Sequence, residues 1–203
     1  MTTEQLRHRM SPILKALKER SLRGRTPVEG LRRTECAYHG WDTVHADAAS
    51  WEPFAPGDAF GGLEAHHCFK GTVTLPEASA GKRVVCLVST GASDIWNNNN
   101  PQFLAYVDGR LVCGLDVNHN EFDLAACAVP GESHELALYV YCNTPARDVF
   151  LRVETAERDD DVTGLYYDLR APYEVCALLA DDDTRAIGIM KHLNRALNLL
   201  DLR

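Results

Sequence analysis

The sequence predicts a mainly β fold, an antiparallel sandwich flanked by α-helices at both ends, and three observations carry that prediction. Between His67 and Leu169 the chain reads as short apolar runs separated by turn residues: CFKGTVTL, RVVCLVST, PQFLAYV, RLVCGLDV, HELALYVY, VFLRVE and VTGLYYDL. Two of these runs are joined by Asp108-Gly109, a pair that supplies the positive φ angles of a type I′ hairpin turn. On either side of this region the apolar period changes from two to about 3.6 residues.

At the N-terminus, Leu6, Met10, Ile13, Leu14 and Leu17 recur at spacings of three and four, with Thr2 and Gln5 in capping-box register. This pattern predicts a helix over residues 3–19. Basic, Gly- and Pro-containing sequence from Arg20 to Pro27 ends the period, and the stretch to about Gly62 reads as irregular. It carries Trp41, Trp51, Phe54 and Phe60, so it is expected to wrap a surface. In the hairpin, Phe103, Ala105 and Val107 alternate with Leu104 and Tyr106. Both faces are apolar, which predicts a place in the middle of the sheet instead of at a wet edge. After Pro172 the helical period returns, with Val175, Leu178, Leu179, Ile187, Met190, Leu193, Leu197 and Leu200 along one face. The last helix is expected over 184–201, with Asp181 to Asp183 supplying its N-cap. The sequence stops at Asp201-Leu202-Arg203 with no helix-ending Gly or Pro, which predicts that the natural chain continues. The expected organisation is an N-terminal helix and wrapping segment (1–50), a β-sandwich (51–170) and C-terminal helices (171–203) leading to a missing catalytic domain.

Composition narrows the function classes. The 203 residues are 45% apolar, enough for one good-sized core without disulfides or metal. A formal charge of −8 repels a phosphate backbone, which argues against nucleic acid as a partner. The start MTTEQLRHRM has no apolar signal region, and no run approaches the length of a membrane span. Seven cysteines, an odd set without a C-x-x-C pair, read as free and mainly buried thiols, and so predict a reducing, cytoplasmic location.

Motif order then adds a resemblance. The run GGLEAHHCFKGTVTLPEASAGKRVVCLVSTG, followed by FLAYVDGRLVCGLD, resembles the jelly-roll, galactose-binding-like accessory domains at the front of many glycosidases. It narrows at Asn100-Pro101-Gln102-Phe103-Leu104, Gly114-Leu115-Asp116-Val117-Asn118-His119, Leu165-Tyr166-Tyr167-Asp168-Leu169 and the closing NRALNLLDLR. Together these look like the N-terminal domain of family 38 α-mannosidases of the bacterial and fungal-vacuolar type. The resemblance implies a retaining α-mannosidase whose two carboxyl groups and zinc lie in a later catalytic barrel. That family's His-x-Asp metal motif has one imitation here, His45-Ala46-Asp47 with Trp51 beyond it, and it precedes the sandwich instead of following it. The chain is therefore expected to be non-catalytic and to hold no cofactor of its own, with zinc belonging to the missing domain. Its expected partners are the catalytic domain of the same polypeptide, further copies of the chain, and a mannose-containing glycan. The alternative is an autonomous carbohydrate-binding module.

Four groups of residues are candidate sites. Trp96 with Asn97 and Asn98 joins an aromatic face to amides, a combination suited to a sugar, although an Asn-rich loop also turns a chain. Asp116, Asn118 and His119 follow the hairpin, where they either face an interface at the sandwich rim or hold a turn. His66-His67-Cys68 offers soft metal ligands, but adjacent strand residues point to opposite faces, so the two imidazoles do not converge. The carboxylates Glu52 with Asp58, and Asp116 with Glu121 or Asp123, have the residue types of glycosidase chemistry without evidence of its spacing.

Overall fold

A computed structural model describes residues 3–91, 101–143, 148–180 and 182–200. In chain order the elements are α1 (Thr3–Ser21), β1 (Leu22–Pro27), β2 (Arg32–Cys36), a 3-10 turn over Gly40–His45, β3 (Glu52–Pro53), β4 (Ala59–Phe60) and β5 (Ala65–Thr74). A second 3-10 turn over Glu77–Ser79 precedes β6 (Arg83–Ser89), β7 (Gln102–Val107), β8 (Arg110–Leu115), β9 (Glu121–Ala125) and β10 (Ser133–Cys142). The described chain closes with β11 (Val149–Phe150), β12 (Arg152–Arg158), α2 (Asp160–Leu178) and α3 (Thr184–Leu197). Two compact units result, Gly24–Glu157 and the pair of segments Met1–Arg23 and Arg158–Arg203.

The first unit is an antiparallel, jelly-roll-like sandwich. One sheet has the order β1-β12-β6-β9, the other β3-β2-β5-β10-β7-β8, and β11 pairs with β4. The ladders that join β2 to β5, β5 to β10, β10 to β7, and β6 to β9 all run antiparallel. Period-two alternation decides what faces inward. Leu136, Leu138, Val140 and Cys142 of β10 and Phe103 and Ala105 of β7 meet Val84, Cys86 and Val88 of β6 in one core with Phe60 and Phe69. Full burial of such a side chain contributes roughly 1.5–3 kcal/mol. Gly71 of β5 is required by this packing, because a Cβ there would lie 2.7 Å from Leu31 Cδ2. The strands that begin and end the unit are neighbours: a Cβ built on Gly24 would lie 3.9 Å from Glu157 Cδ.

The hairpin has the expected turn, with φ of 50° at Asp108 and 74° at Gly109. Its position corrects the sequence reading. Strand β7 is interior, but β8 is the sheet edge, with Leu111 and Val112 exposed. The second apolar face of β7 is matched by the wrapping segment, where Val44 and Trp51 cover Cys68, Tyr106, Ala137 and Tyr139 in a separate small core. Two-sided apolarity on β7 therefore needs no central hairpin.

Residues 20–62 are also more regular than expected, since they include β1 and β2. Strand β1 is a sheet edge and almost wholly exposed, so its Arg and Thr side chains leave no alternating signal. In β2, Arg32 reaches the carbonyls of Ala49 and Trp51, and Arg33 pairs with Glu52 at 3.0 Å. Basic residues thus fasten the segment that wraps the sheet.

The second unit is helical. VTGLYYDL, expected as a strand, lies inside α2. The Asp159 side chain accepts the Val162 N–H at 3.1 Å and caps the helix, and Asp160 and Asp161 favour its positive end. Val162, Leu165, Tyr166, Leu169, Tyr173 and Cys176 then pack inward at helical spacing. Pro172 lies within this helix instead of ahead of it. The core is shared with Leu6, Met10 and Leu17 of α1 and Met190, Leu193 and Leu197 of α3. Arg9 of α1 donates to Asn194 and to Asn198 Oδ1, tying the first helix to the last. Val175, Leu178 and Ile187, expected on the buried face, are exposed, as is Tyr167. Among the described residues no helix is long and apolar enough to cross a membrane.

Candidate functional site, an aromatic cleft on the sheet face

The outer face of the six-stranded sheet is covered over only half its length. Strand register sets side by side the residues that share this face: Cys36 pairs with His66, His66 with Tyr141, and Tyr141 with Gln102. In the next row Cys68 pairs with Tyr139 and Tyr139 with Leu104. The 3-10 turn at Gly40–His45 closes the far half through Val44. Ahead of it, His39 in a left-handed conformation (φ 59°) turns the chain so that Tyr38, His39 and Trp41 form a wall beside the open half. What remains is a cleft of about 920 Å³ lined by these rings, by Glu35, Cys36 and Glu64, and by His66, Gln102, Leu104, Tyr139 and Tyr141. Tyr38 is 72% exposed and Trp41 41%.

The rings form a continuous set. His39 lies 4.5 Å from Trp41, Trp41 6.4 Å from Tyr139, and His66 stacks on Tyr139 at 5.7 Å with Tyr141 5.1 Å away. His66 Nδ1 is 2.7 Å from the Tyr139 hydroxyl. Burial lowers the His66 pKa, helped by His39 and opposed by Glu64, while burial raises that of Tyr139. At neutral pH burial therefore favours the unprotonated imidazole, hydrogen-bonded to the phenol. Beneath the wall, Cys36 and Cys68 sulfurs are 3.7 Å apart, and the hydrogen bond from Cys68 lowers the Cys36 pKa.

A shallower recess of about 360 Å³ continues from the cleft, sharing Gln102, Leu104, Tyr139 and Tyr141 and adding Asp116 and His119. Asp116 Oδ1 accepts the N–H groups of Asn118 and His119, each at 2.7 Å, so this carboxylate holds the turn and lines the recess together. Asn118 is exposed. Trp96, Asn97 and Asn98 lie outside the described residues. His66 and His67 point to opposite sheet faces, His67 toward the Gly61 carbonyl at 3.2 Å and the rings of Phe60 and Phe69. Among the carboxylates, Glu52 pairs with Arg33, Asp58 accepts the Ala55 N–H at 2.7 Å, and Asp123 holds Arg83 through both oxygens. Each has a local structural task.

The zinc-motif imitation does not fit a metal site. His45 lies edge-on to Tyr106, Asp47 accepts the Ala49 N–H at 3.0 Å, and Trp51 is buried in the small core. Among the described residues no group of three or more His, Cys, Asp or Glu is placed to hold a metal ion.

Sequence reasoning missed the cleft. Tyr139 and Tyr141 at strand period two, and Tyr38, His39 and Trp41 within four residues, were its visible signals. The register that joins them to His66 was not visible.

No family model matches the chain, and no curated protein does. Part of the chain is similar to solved β-glucuronidase structures. For that of Bacteroides uniformis the identity is 11% and the TM-score 0.47, over 66% of this chain and 18% of that one. For that of Ruminococcus gnavus the values are 8% and 0.48, over 66% and 28%. For that of Faecalibacterium prausnitzii they are 14% and 0.42, over 67% and 32%. The chain thus spans less than a third of the length of any of these three proteins.

Proposed function

We propose that this chain is the non-catalytic accessory domain of a glycosidase, of the α-mannosidase type that its sequence resembles, and that it positions the catalytic domain of the same polypeptide. The observation that carries the reading is the ordered motif series from Gln102-Phe103-Leu104 through Gly114 to His119 and Leu165 to Leu169 to NRALNLLDLR. Single motifs of this length are weak, whereas several in one order are specific. The antiparallel sandwich is compatible with the reading, since such folds host many functions. The reading is supported by the local structural tasks of the carboxylates that the sequence singles out, Glu52 with Arg33, Asp58 with the Ala55 N–H, Asp116 with its turn and Asp123 with Arg83. Zinc and the reacting carboxyl groups would belong to the catalytic domain. The exposed apolar side chains of the helical unit, Tyr167, Val175, Leu178 and Ile187, are the surface we assign to docking against it.

The test compares the 203-residue chain with a longer polypeptide in which the catalytic domain follows Arg203. The chain alone is expected to leave an aryl α-mannoside intact, and the longer polypeptide to cleave it. Leu178→Asp, at a side chain 87% exposed, is expected to leave the melting temperature of the chain unchanged and to lower that of the longer polypeptide. Turnover by the chain alone that survives repurification would overturn the proposal. So would a gene that stops at Arg203.

A further inference from the structure

We propose that the open half of the sheet face is a saccharide-binding site for a neutral sugar of one to three residues. The inference rests on the lining of the cleft and stands whether or not the chain serves a glycosidase. Three properties of that lining select the ligand. The first is exposed aromatic surface. Trp41 and Tyr38 keep 41% and 72% of their surface open although the buried rings of Tyr139 and His66 lie next to them, so the wall presents apolar faces to the cleft. A pyranose has a matching apolar face of C–H groups, and flat ring-on-ring contact gathers many small dispersion gains. The second is the polar complement. Gln102 has an amide that donates and accepts, Glu64 has a carboxylate that accepts from hydroxyls, and the Tyr139 and Tyr141 rings carry hydroxyl groups at the same lining. An aromatic drug-like or lipid ligand has no use for so many hydrogen-bonding groups.

The third property is charge. Among the described residues the lining includes Glu35 and Glu64 and neither Lys nor Arg, and burial disfavours the charged form of His66. An anionic sugar such as a uronide, or a sugar phosphate, would bring its charge into a negative cleft unpaired. The site therefore selects neutral saccharides. A volume of about 920 Å³ falls at the upper end of the 300–1,000 Å³ typical of small-molecule sites, room for up to three sugar rings.

The test titrates the ¹⁵N-labelled 203-residue chain with neutral disaccharides (mannobiose, cellobiose, lactose) and with cellobiouronic acid. At least one neutral disaccharide is expected to shift the amide signals of Tyr38 to Trp41 and of His66, saturating at millimolar concentration or below. Trp41→Ala and Tyr38→Ala are each expected to weaken that binding about tenfold, the usual loss when a central aromatic contact is removed. Cellobiouronic acid is expected to bind at least tenfold more weakly than cellobiose. Gln102→Ala, at an exposed strand position, provides a third variant, and a melting curve of each shows that it is folded. Four results would overturn the proposal: no saturable shift with any neutral disaccharide, binding that survives both aromatic substitutions, equal binding of the uronide, or a dimer that dissociates on Trp41→Ala, which would mean that a second copy covers the rings.

Discussion

His66 shows how one side chain can report on the state of the cleft. Its imidazole is hydrogen-bonded to Tyr139, and burial holds its pKa below the ordinary value of 6.5. The unfolded chain therefore takes up this proton at a higher pH than the folded one, so stability from the neutral ring is present above pH 6.5 and is lost as pH falls through the lower folded value. His66→Phe cannot titrate. The melting-temperature advantage of the native chain over this variant should accordingly shrink between pH 7 and pH 5, and scanning calorimetry across that range checks it. A constant difference would mean that His66 takes up its proton at the same pH in the folded and unfolded chain. The alternation of His66, His67 and Cys68 across a strand was legible in the sequence, because period two is a local property. Its partner Tyr139 was not, since it lies 73 residues away and only the register of β5 against β10 brings the two together.

At the scale of elements, the hairpin and α2 show why some assignments hold and others do not. Asp108-Gly109 specifies its turn through backbone conformation alone, and the same geometry appears in the structure. The run from Val162 to Leu169 contains aromatic and branched residues that suit a strand, yet the cap at Asp159 and the apolar spacing out to Cys176 make it a helix. The helical signal was present but required a window longer than eight residues. Asp159→Ala is expected to cost about 1 kcal/mol through loss of the cap. The loss should appear in a thermal melt followed by helical circular dichroism. The same change removes the partner of Arg23 at 3.2 Å, an exposed pair that adds little. Strands β1 and β2 escaped notice for a different reason. Edge strands and strands fastened by arginine are specified by their neighbours, and those neighbours are distant in sequence.

The whole molecule was legible in class but not in division. Helical period at both ends and strand period between them were enough for a sandwich flanked by helices. That α1 shares a core with α2 and α3 depends on contacts such as Arg9 with Asn194, separated by 185 residues. Strands β1 and β12 are neighbours, so the sheet brings together strands that are more than a hundred residues apart in the chain. Biosynthesis meets this arrangement from one end. The apolar side of α1 is made before every strand of the sandwich, and its partners α2 and α3 after them. Leu6, Met10 and Leu17, all buried in the finished fold, must therefore wait uncovered while residues 24–157 are synthesised. A chain cut after residue 157 should aggregate or bind a chaperone, whereas residues 24–157 alone should stay monomeric, and light scattering of the two fragments would tell them apart. The nascent chain thus passes through a stage in which α1 is a liability, relieved only when α2 and α3 arrive.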